Sequence, residues 1–481
     1  MFLIFCNSNL QAQNSTSSPY SRFGVGDLNS ISFATNLSLG GSEIGLSLPG
    51  HINYGNPASY SDLFYTTYEG GVDFKQYEFK TNETRHRENT ASVSYFDFAF
   101  PLKQKKWSLG FGLVPYSKVG YLVTSKSINS FGDTEITQYE GSGGLNNFHI
   151  ATGFKVSKKL SFGLNSEYLF GVINNDRIVA YDSPYYFNTS IKSSTSIGWF
   201  HFKAGVQYRI DSLPLGKSDS IVLLENKISL LEASLNILIQ KNVGDTSQET
   251  YTKKNQLAQE IAAATLVKEN VVDKKAKTDW HLILGLVASP TADLNATNSS
   301  IINSFRYKYY NTPDVLVIVR DTVFQTVGQK SFVRLPFSAG FGFSLFKGSQ
   351  WLFCSDFSIQ QWSNFSFLGA EDSLVDNWKI TAGIQFTPNE RALRSYSKII
   401  QYRLGFHYDS GYLKFNGTKI SDIGISAGFG LPVRKAGAAL NLTFEVGRRG
   451  TIENNLILEQ YFKFTIGFTI SDRWFLKSKY D

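Results

Sequence analysis

Apolar and polar residues alternate one for one through much of this chain, and the alternation predicts strands with one greasy wall and one wet wall. Phe200, Phe202, Ala204, Val206, Tyr208 and Ile210 share one parity, with His201, Lys203, Gly205, Gln207 and Arg209 between them. Trp378, Ile380, Ala382, Ile384 and Phe386 alternate in the same way with Lys379, Thr381, Gly383, Gln385 and Thr387. Successive side chains of a strand face opposite ways, so each segment separates the two classes cleanly. Such segments recur along the chain, each long enough to cross a bilayer as a tilted strand. The expected fold class is all-β: a transmembrane antiparallel β-barrel.

Strands are predicted near 65–80, 90–101, 107–123, 145–157, 160–174, 190–210, 280–295, 331–346, 350–363, 377–388, 399–412, 418–431, 437–448 and 457–471. That makes about fourteen, an even number, as single-chain bacterial barrels have. Connections alternate between short (Lys103 to Lys106, Lys158-Lys159, Lys347 to Gln350) and long (Thr124 to Leu145, Asn175 to Thr189, Ala296 to Lys330). Short turns belong to the periplasmic side of the outer membrane of a Gram-negative bacterium, which places both termini in the periplasm. Trp107, Trp280, Trp351 and Trp474 fall at periplasmic strand ends, and Trp199, Trp362 and Trp378 near outer ones, where indole rings favour the headgroup level.

Composition agrees. Hydrophobic residues make up 42% of the 481 residues, yet mean hydropathy is only −0.16. A barrel resolves this, because only every second strand residue meets lipid. Met1 to Cys6 is apolar and Leu10-Gln11-Ala12 resembles a cleavage site, so residues 1–12 read as a signal peptide, truncated at its start. Without them Cys354 is the sole cysteine and no intramolecular disulfide forms. The net charge of +7 is scattered through short turns (Lys103, Lys105, Lys106; Lys158, Lys159; Arg391, Arg394; Arg434, Lys435). Scattered charge suits rims against outer-membrane lipid headgroups and not nucleic acid. On the inner wall the alternation places Asp97, Glu167, Lys203, Arg334, Asp356, Lys379, Arg403, Asp409, Glu445 and Lys463, read as scaffold charges.

The six histidines stand singly, with no H-E-x-x-H pair and no P-loop, so neither metal nor cofactor is expected and the chain is not read as an enzyme.

Two places break the strand rhythm. Residues 13–62 are rich in small residues, with Gly40-Gly41 and then Asn56-Pro57-Ala58, and read as a plug tucked into the barrel. Pro115, at the end of Leu109-Gly110-Phe111-Gly112-Leu113-Val114, cannot donate to a ladder and marks a bulge, a kink or an unpaired wall. The glycine pair running into Asn56-Pro57-Ala58 resembles the hatch motif of the FadL-type outer-membrane transporters of long-chain fatty acids and other hydrophobic molecules. The run through Gly110 and Gly112 to Pro115 is similar to that family's third strand. The resemblance implies fourteen strands, a hatch filling the lumen and a side exit at the kinked strand. It departs in a helical insertion, and the stretch from Gly41 to Asn56 is read as lacking the acids common in the family.

The insertion covers residues 211–279, between barrel halves 63–210 and 280–481. Ile221, Leu224, Ile228, Leu231, Leu235 and Leu238 follow a coiled-coil spacing, and Leu257, Ile261, Ala264 and Val271 line a second helix. A periplasmic helical hairpin is expected, with that seam as a docking face for a periplasmic or outer-membrane protein. Two functions follow. One is passive uptake of a hydrophobic, fatty-acid-like small molecule, gated by Gly40, Gly41, Asn56, Pro57 and Ala58 and released past Pro115. The alternative is a non-transporting structural or assembly subunit of an outer-membrane complex.

Overall fold

The computed structural model describes residues 18–472, apart from 30, 31, 49, 131, 183, 184, 211–218, 242–247, 277–279, 310–314, 372, 373, 393 and 434–436. The signal segment 1–12 and Trp474 lie outside the described residues. Strands β1 (Thr66–Lys80), β2 (Arg85–Lys103), β3 (Trp107–Ile128), β4 (Thr134–Lys155), β5 (Leu160–Tyr181) and β6 (Asn188–Ile210) run antiparallel in chain order. Helices α1 (Asp219–Lys241) and α2 (Gln248–Ala276) follow. Next come β7 (Trp280–Ser289), β8 (Ala292–Tyr309), β9 (Val315–Leu335) and β10 (Ser338–Lys347). The wall is completed by β11 (Trp351–Gln360), β12 (Asn377–Phe386), β13 (Gln401–Asp409), β14 (Asp422–Val433), β15 (Ala438–Arg449) and β16 (Leu458–Asp472). β16 pairs with β1 from Leu458–Lys80 to Asp472–Thr66, which closes the barrel.

Pro290 and Pro336 interrupt two wall strands, so β7–β8 and β9–β10 each count as one and the wall has fourteen strands. Residues 296–309 and 315–330, expected as a loop, instead prolong those strands into the tall hairpin β8–β9. Past Pro290 the β8 sequence is polar on both parities (Asn295, Thr297, Asn298, Ser299, Ser300), which hides a strand that has left the lipid.

The barrel is inside out, as the alternation requires. On β6, Phe200, Phe202 and Tyr208 are exposed while His201 and Gln207 are buried. On β12, Trp378 and Ile380 are exposed while Thr381 and Gln385 are buried. An apolar exterior around a polar bore satisfies the backbone within the wall and leaves lipid to cover the greasy side. Arg334 departs from expectation: Val333 and Leu335 face in, so Arg334 faces out, paired with Asp293 at 2.7 Å.

The wall is uneven in height. β3 to β6 run 22 or 23 residues, whereas β11 to β13 run 9 or 10. The long strands with β8–β9 stand above the belt on one side, at the end carrying the long loops (the loop end). Trp107, Trp280 and Trp351 sit at the opposite turn end. Trp362, expected at an interface, is instead buried in a loop, donating its indole N–H to Gln360 at 2.8 Å and stacking on Tyr412 at 4.9 Å. It belongs to an apolar cluster with Val119, Tyr121, Ile173, Leu294 and Phe365 that fills the loop end of the lumen.

The hairpin α1–α2 packs on itself. Leu224, Ile228, Leu231 and Leu235 are half-buried, as are Leu257 and Ile261 opposite, with Ala264 buried and a Lys268–Glu225 ion pair at 3.3 Å. The seam is thus consumed by the second helix, which corrects the docking face assigned to it. The side chains of Ile221 and Leu238 lie outside the described residues. Left exposed is a different stripe at seven-residue spacing, Leu223, Leu230 and Ile237.

Candidate functional site: the hatch and the chamber above it

The segment before β1 threads the whole lumen. Its first described residue, Ser18, lies at the loop end, where its hydroxyl donates to Glu459 at 2.5 Å. Tyr20 donates to the Ile457 carbonyl at 2.6 Å. The chain then descends from there to the turn end, where β16 also finishes.

The ladder between β2 and β3 is incomplete on the loop side. Pairing of β2 with β3 stops at Phe96–Leu113. Above that point β2 pairs with β1 alone and β3 with β4 alone, with a register shift at Pro115–Ser117. The missing proline N–H and the shift together let the two strands part. The hatch fills part of the gap: Asp27 and Leu28 pair with Lys118 and Ser117 of β3. The Asn29 N–H donates to the Tyr116 carbonyl at 3.0 Å and its side-chain amide to Pro115 at 3.3 Å. Lys118 reaches across the break to Ser92 Oγ at 2.7 Å, and Arg449 holds Asp27 at 2.6 Å. Gly110 and Gly112 keep room for Tyr60 and for the Asp97 carboxylate, which any β-carbon there would strike.

Asn56-Pro57-Ala58 is a structural staple. Asn56 and Ala58 are fully buried, and Asn56 Oδ1 accepts the Ala58 N–H at 3.0 Å, capping the short helical turn Pro57–Asp62. The other end of the Asn56 amide donates to Ile44 at 2.7 Å and to Val206 of β6 at 3.3 Å. Pro57 needs no donor partner at the first position of that turn. Gly163 and Gly205 of the wall face Pro57 and Asn56 so closely that side chains there would overlap them. Gly40 and Gly41 take φ of +73° and +84°, a turn open to glycine, and Gly40 lies against Gly405 backbone to backbone.

Carboxylates latch the hatch to the wall. Asp356 of β11 accepts backbone N–H groups from Glu43 (2.5 Å) and Ile44 (2.8 Å). Asp62 is clasped by Arg209 at 2.5 Å and by Lys155. Burial pushes the Asp62 carboxyl up, and the two cations outweigh it, holding the group below the usual carboxylate range. Tyr54 donates to Glu167 at 2.6 Å and carries Lys203 over its ring at 4.1 Å. Glu43 is the acid missed in a stretch read as free of them. Burial pushes its carboxyl up to about 7, and its Oε1 has no hydrogen-bond partner. Its side chain looks into a cavity of about 420 Å³ enclosed with Lys75, Glu167, Lys203, Asp356, Lys379 and Arg449. The chamber is lined by charge of both signs.

The chain does carry one G-x-S-x-G run. Gly424-Ile425-Ser426-Ala427-Gly428 has the spacing of a hydrolase nucleophile elbow. It lies within β14 and not at a strand-to-helix turn, and Ser426 Oγ is engaged by the Gly40 N–H at 3.2 Å. A buried pair, His149 Nε2 and Asp97 Oδ2 at 2.9 Å, braces β4 against β2. Cys354 is buried in the wall.

The fold is that of FadL-type outer-membrane channels. The toluene transporter TbuX of Ralstonia pickettii superposes with a TM-score of 0.51 at 11% identity, over 91% of this chain and 98% of that one. The toluene transporter TodX of Pseudomonas putida gives 0.51 at 12%, over 94% and 100%. A FadL homologue of Pseudomonas aeruginosa gives 0.52 at 8%, over 91% and 98%. No curated protein sequence matches. The BamG family model matches residues 1–260 and 236–481. Covered from end to end by that model, the chain belongs to the BamG family.

Proposed function

We propose that this protein is a structural or assembly subunit of an outer-membrane complex: a barrel stoppered by its own hatch, with its helical hairpin in the periplasm holding a partner. One observation carries the reading. The cavity between hatch and loops is lined by ionic groups such as Lys75, Glu167, Lys203 and Lys379, whereas sites for hydrophobic ligands are predominantly apolar. A hydrocarbon seated there would strip water from those charges without replacing their hydrogen bonds. The exposed stripe Leu223, Leu230 and Ile237 supplies the surface for the periplasmic partner.

The test is gentle extraction of the native protein followed by sizing. The chain is expected in a complex that deletion of residues 219–276 dissolves, with the barrel still folded, and with toluene uptake by cells unchanged by that deletion. Recovery of the native protein as a free monomer would overturn the reading.

A second reading is favoured by the ladder break above Pro115 and by the channels that share the fold. In it a hydrophobic small molecule passes inward without an energy source and leaves sideways into the bilayer when the Asp27–Leu28 strand lifts off β3. Loss of toluene uptake after Pro115→Ala, or after deletion of residues 14–60, would support it.

A further inference from the structure

β9 is paired with β8 along one side, from Val315–Tyr309 down to Leu335–Ala292. On its other side, among the described residues, only Val333 and Arg334 find partners, in Phe367 and Ser366. The chain's own loop thus starts an antiparallel strand on this edge and then turns away through Ala370–Glu371. Above that point the edge continues as a row of open N–H and C=O groups, and the complement of such a row is another extended backbone.

The open stretch carries uncovered apolar side chains among polar ones that include Arg320, Asp321 and Lys330. Val317, Ile318 and Val319 are 57%, 48% and 53% exposed, and Val323, Phe324 and Val327 follow at 65%, 50% and 76%. Consecutive exposed residues mean that both faces of the strand are bare. Lipid does not account for both parities, because it meets only one face of a wall strand. The other tall edge, on β3, shows how this fold protects such a strand. There the hatch pairs with Ser117 and Lys118, Lys118 bridges to Ser92, and Lys126 lies farther up. Lysines and covering segments are the usual defence of an edge. From Val317 to Val319, just before Arg320 and the first register shift, β9 carries no lysine and, among the described residues, no covering segment.

We propose that the β9 edge is a strand-addition site, where an extended segment of a different outer-membrane polypeptide, apolar on both faces, pairs antiparallel beyond the belt. The foothold at Ser366–Phe367 fixes the direction, and Val317–Val319 is the anchor. Main-chain bonds supply the affinity and the alternating Val and Ile side chains the selectivity. This surface lies at the opposite end of the barrel from the helical hairpin and does not rest on the hairpin's docking.

The test uses the full-length protein with Val317→Cys, labelled by a charged maleimide in native outer membranes and as purified monomer. Cys354 is buried and stays silent. Labelling in membranes is expected to be slower by at least about tenfold, as for a strand that opens only through local dissociation. Leu122→Cys, on the exposed part of β3, is the control and is expected to label alike in both. A Phe324→Cys reporter combined with Val317→Lys and Val319→Lys is expected to recover the monomer rate, since added lysines block the edge without touching the interior. Equal rates for Val317→Cys in membranes and monomer would overturn the proposal. So would slow labelling in both with the mass of a dimer, because the occupant would then be a second copy. Deletion of residues 219–276 is expected to leave the protection intact; its loss would overturn the edge as a site in its own right.

Discussion

Residues 18–65 and residues 219–276 are the two parts of the chain that depart from the strand rhythm, and they spend their side chains differently. In the hatch, polar groups are matched one by one to the wall: Asn56 to Val206, Asp62 to Arg209, Tyr54 to Glu167, Glu43 and Ile44 to Asp356. In the hairpin, each helix uses its best apolar face on the other helix and leaves Leu223, Leu230 and Ile237 bare. A plug needs one seat, and directional bonds and ion pairs define a seat better than grease does. A docking arm needs apolar surface in reserve. The difference fits the proposed division, with closure by the hatch and association by the hairpin.

Breaking a latch is the largest perturbation of that contrast. Asp62→Ala leaves Arg209 and Lys155 facing each other without their carboxylate, and the seated hatch is expected to lose about 2–3 kcal/mol once their partial exposure is discounted. Single-barrel conductance in planar bilayers should rise as the hatch fluctuates, while the β-sheet circular dichroism of the wall stays constant. A quiet barrel would show that the latch is redundant. On the other side of the comparison, Leu231→Ala in the half-buried seam should weaken the hairpin by about 1–2 kcal/mol, less than a full core truncation. Proteolysis within 219–276 should quicken and barrel conductance should not change.

The wall was legible in the sequence because the rule behind it is simple: lipid outside, water inside, a period of two. That rule identified the faces of β6 and β12 and the number of strands. It failed where lipid ends. Above Pro290 both parities of β8 are polar, and a strand there looks like a loop. Arg334 was put on the wrong face because a proline-broken strand restarts its parity. The hatch motifs gave the position of the plug, but its latches join residues far apart in the chain, such as Ser18 with Glu459, which no spacing reveals. Seam and stripe lie on one helix, and only the packing of α2 tells which of them is spare.

Glu43 gives a smaller effect with a definite sign. Its carboxyl titrates near 7 in the seated hatch and would return to the ordinary range, about 4.5, if the hatch withdrew. A raised carboxyl pKa means that the seated form holds the proton more tightly. Seating is therefore firmest below about 4.5 and weakens as pH rises through 7, by on the order of 1 kcal/mol after screening. Conductance bursts should become more frequent from pH 5 to pH 8 in the parent protein, and Glu43→Gln should flatten the dependence. A trend in the opposite direction would mean that Lys203 and Lys379 govern the group instead.

Pro115→Ala should do least, and for that reason it discriminates most sharply between the two functions. The substitution restores an N–H at the break, but β2 has already parted from β3 below it at Leu113, and Asp27 and Leu28 occupy β3 just above. No strand stands ready to accept the new donor, so the melting behaviour of the barrel should move by no more than about 0.5 kcal/mol. In a stoppered subunit nothing travels through the break, and toluene uptake and complex size should both match the parent. In a channel the parted strands are the exit, and loss of the rigid proline at its rim should slow uptake with stability unaltered. A fall in uptake at constant stability would transfer the hatch from closure to gating, and the contrast between plug and arm would have to be redrawn around a moving hatch.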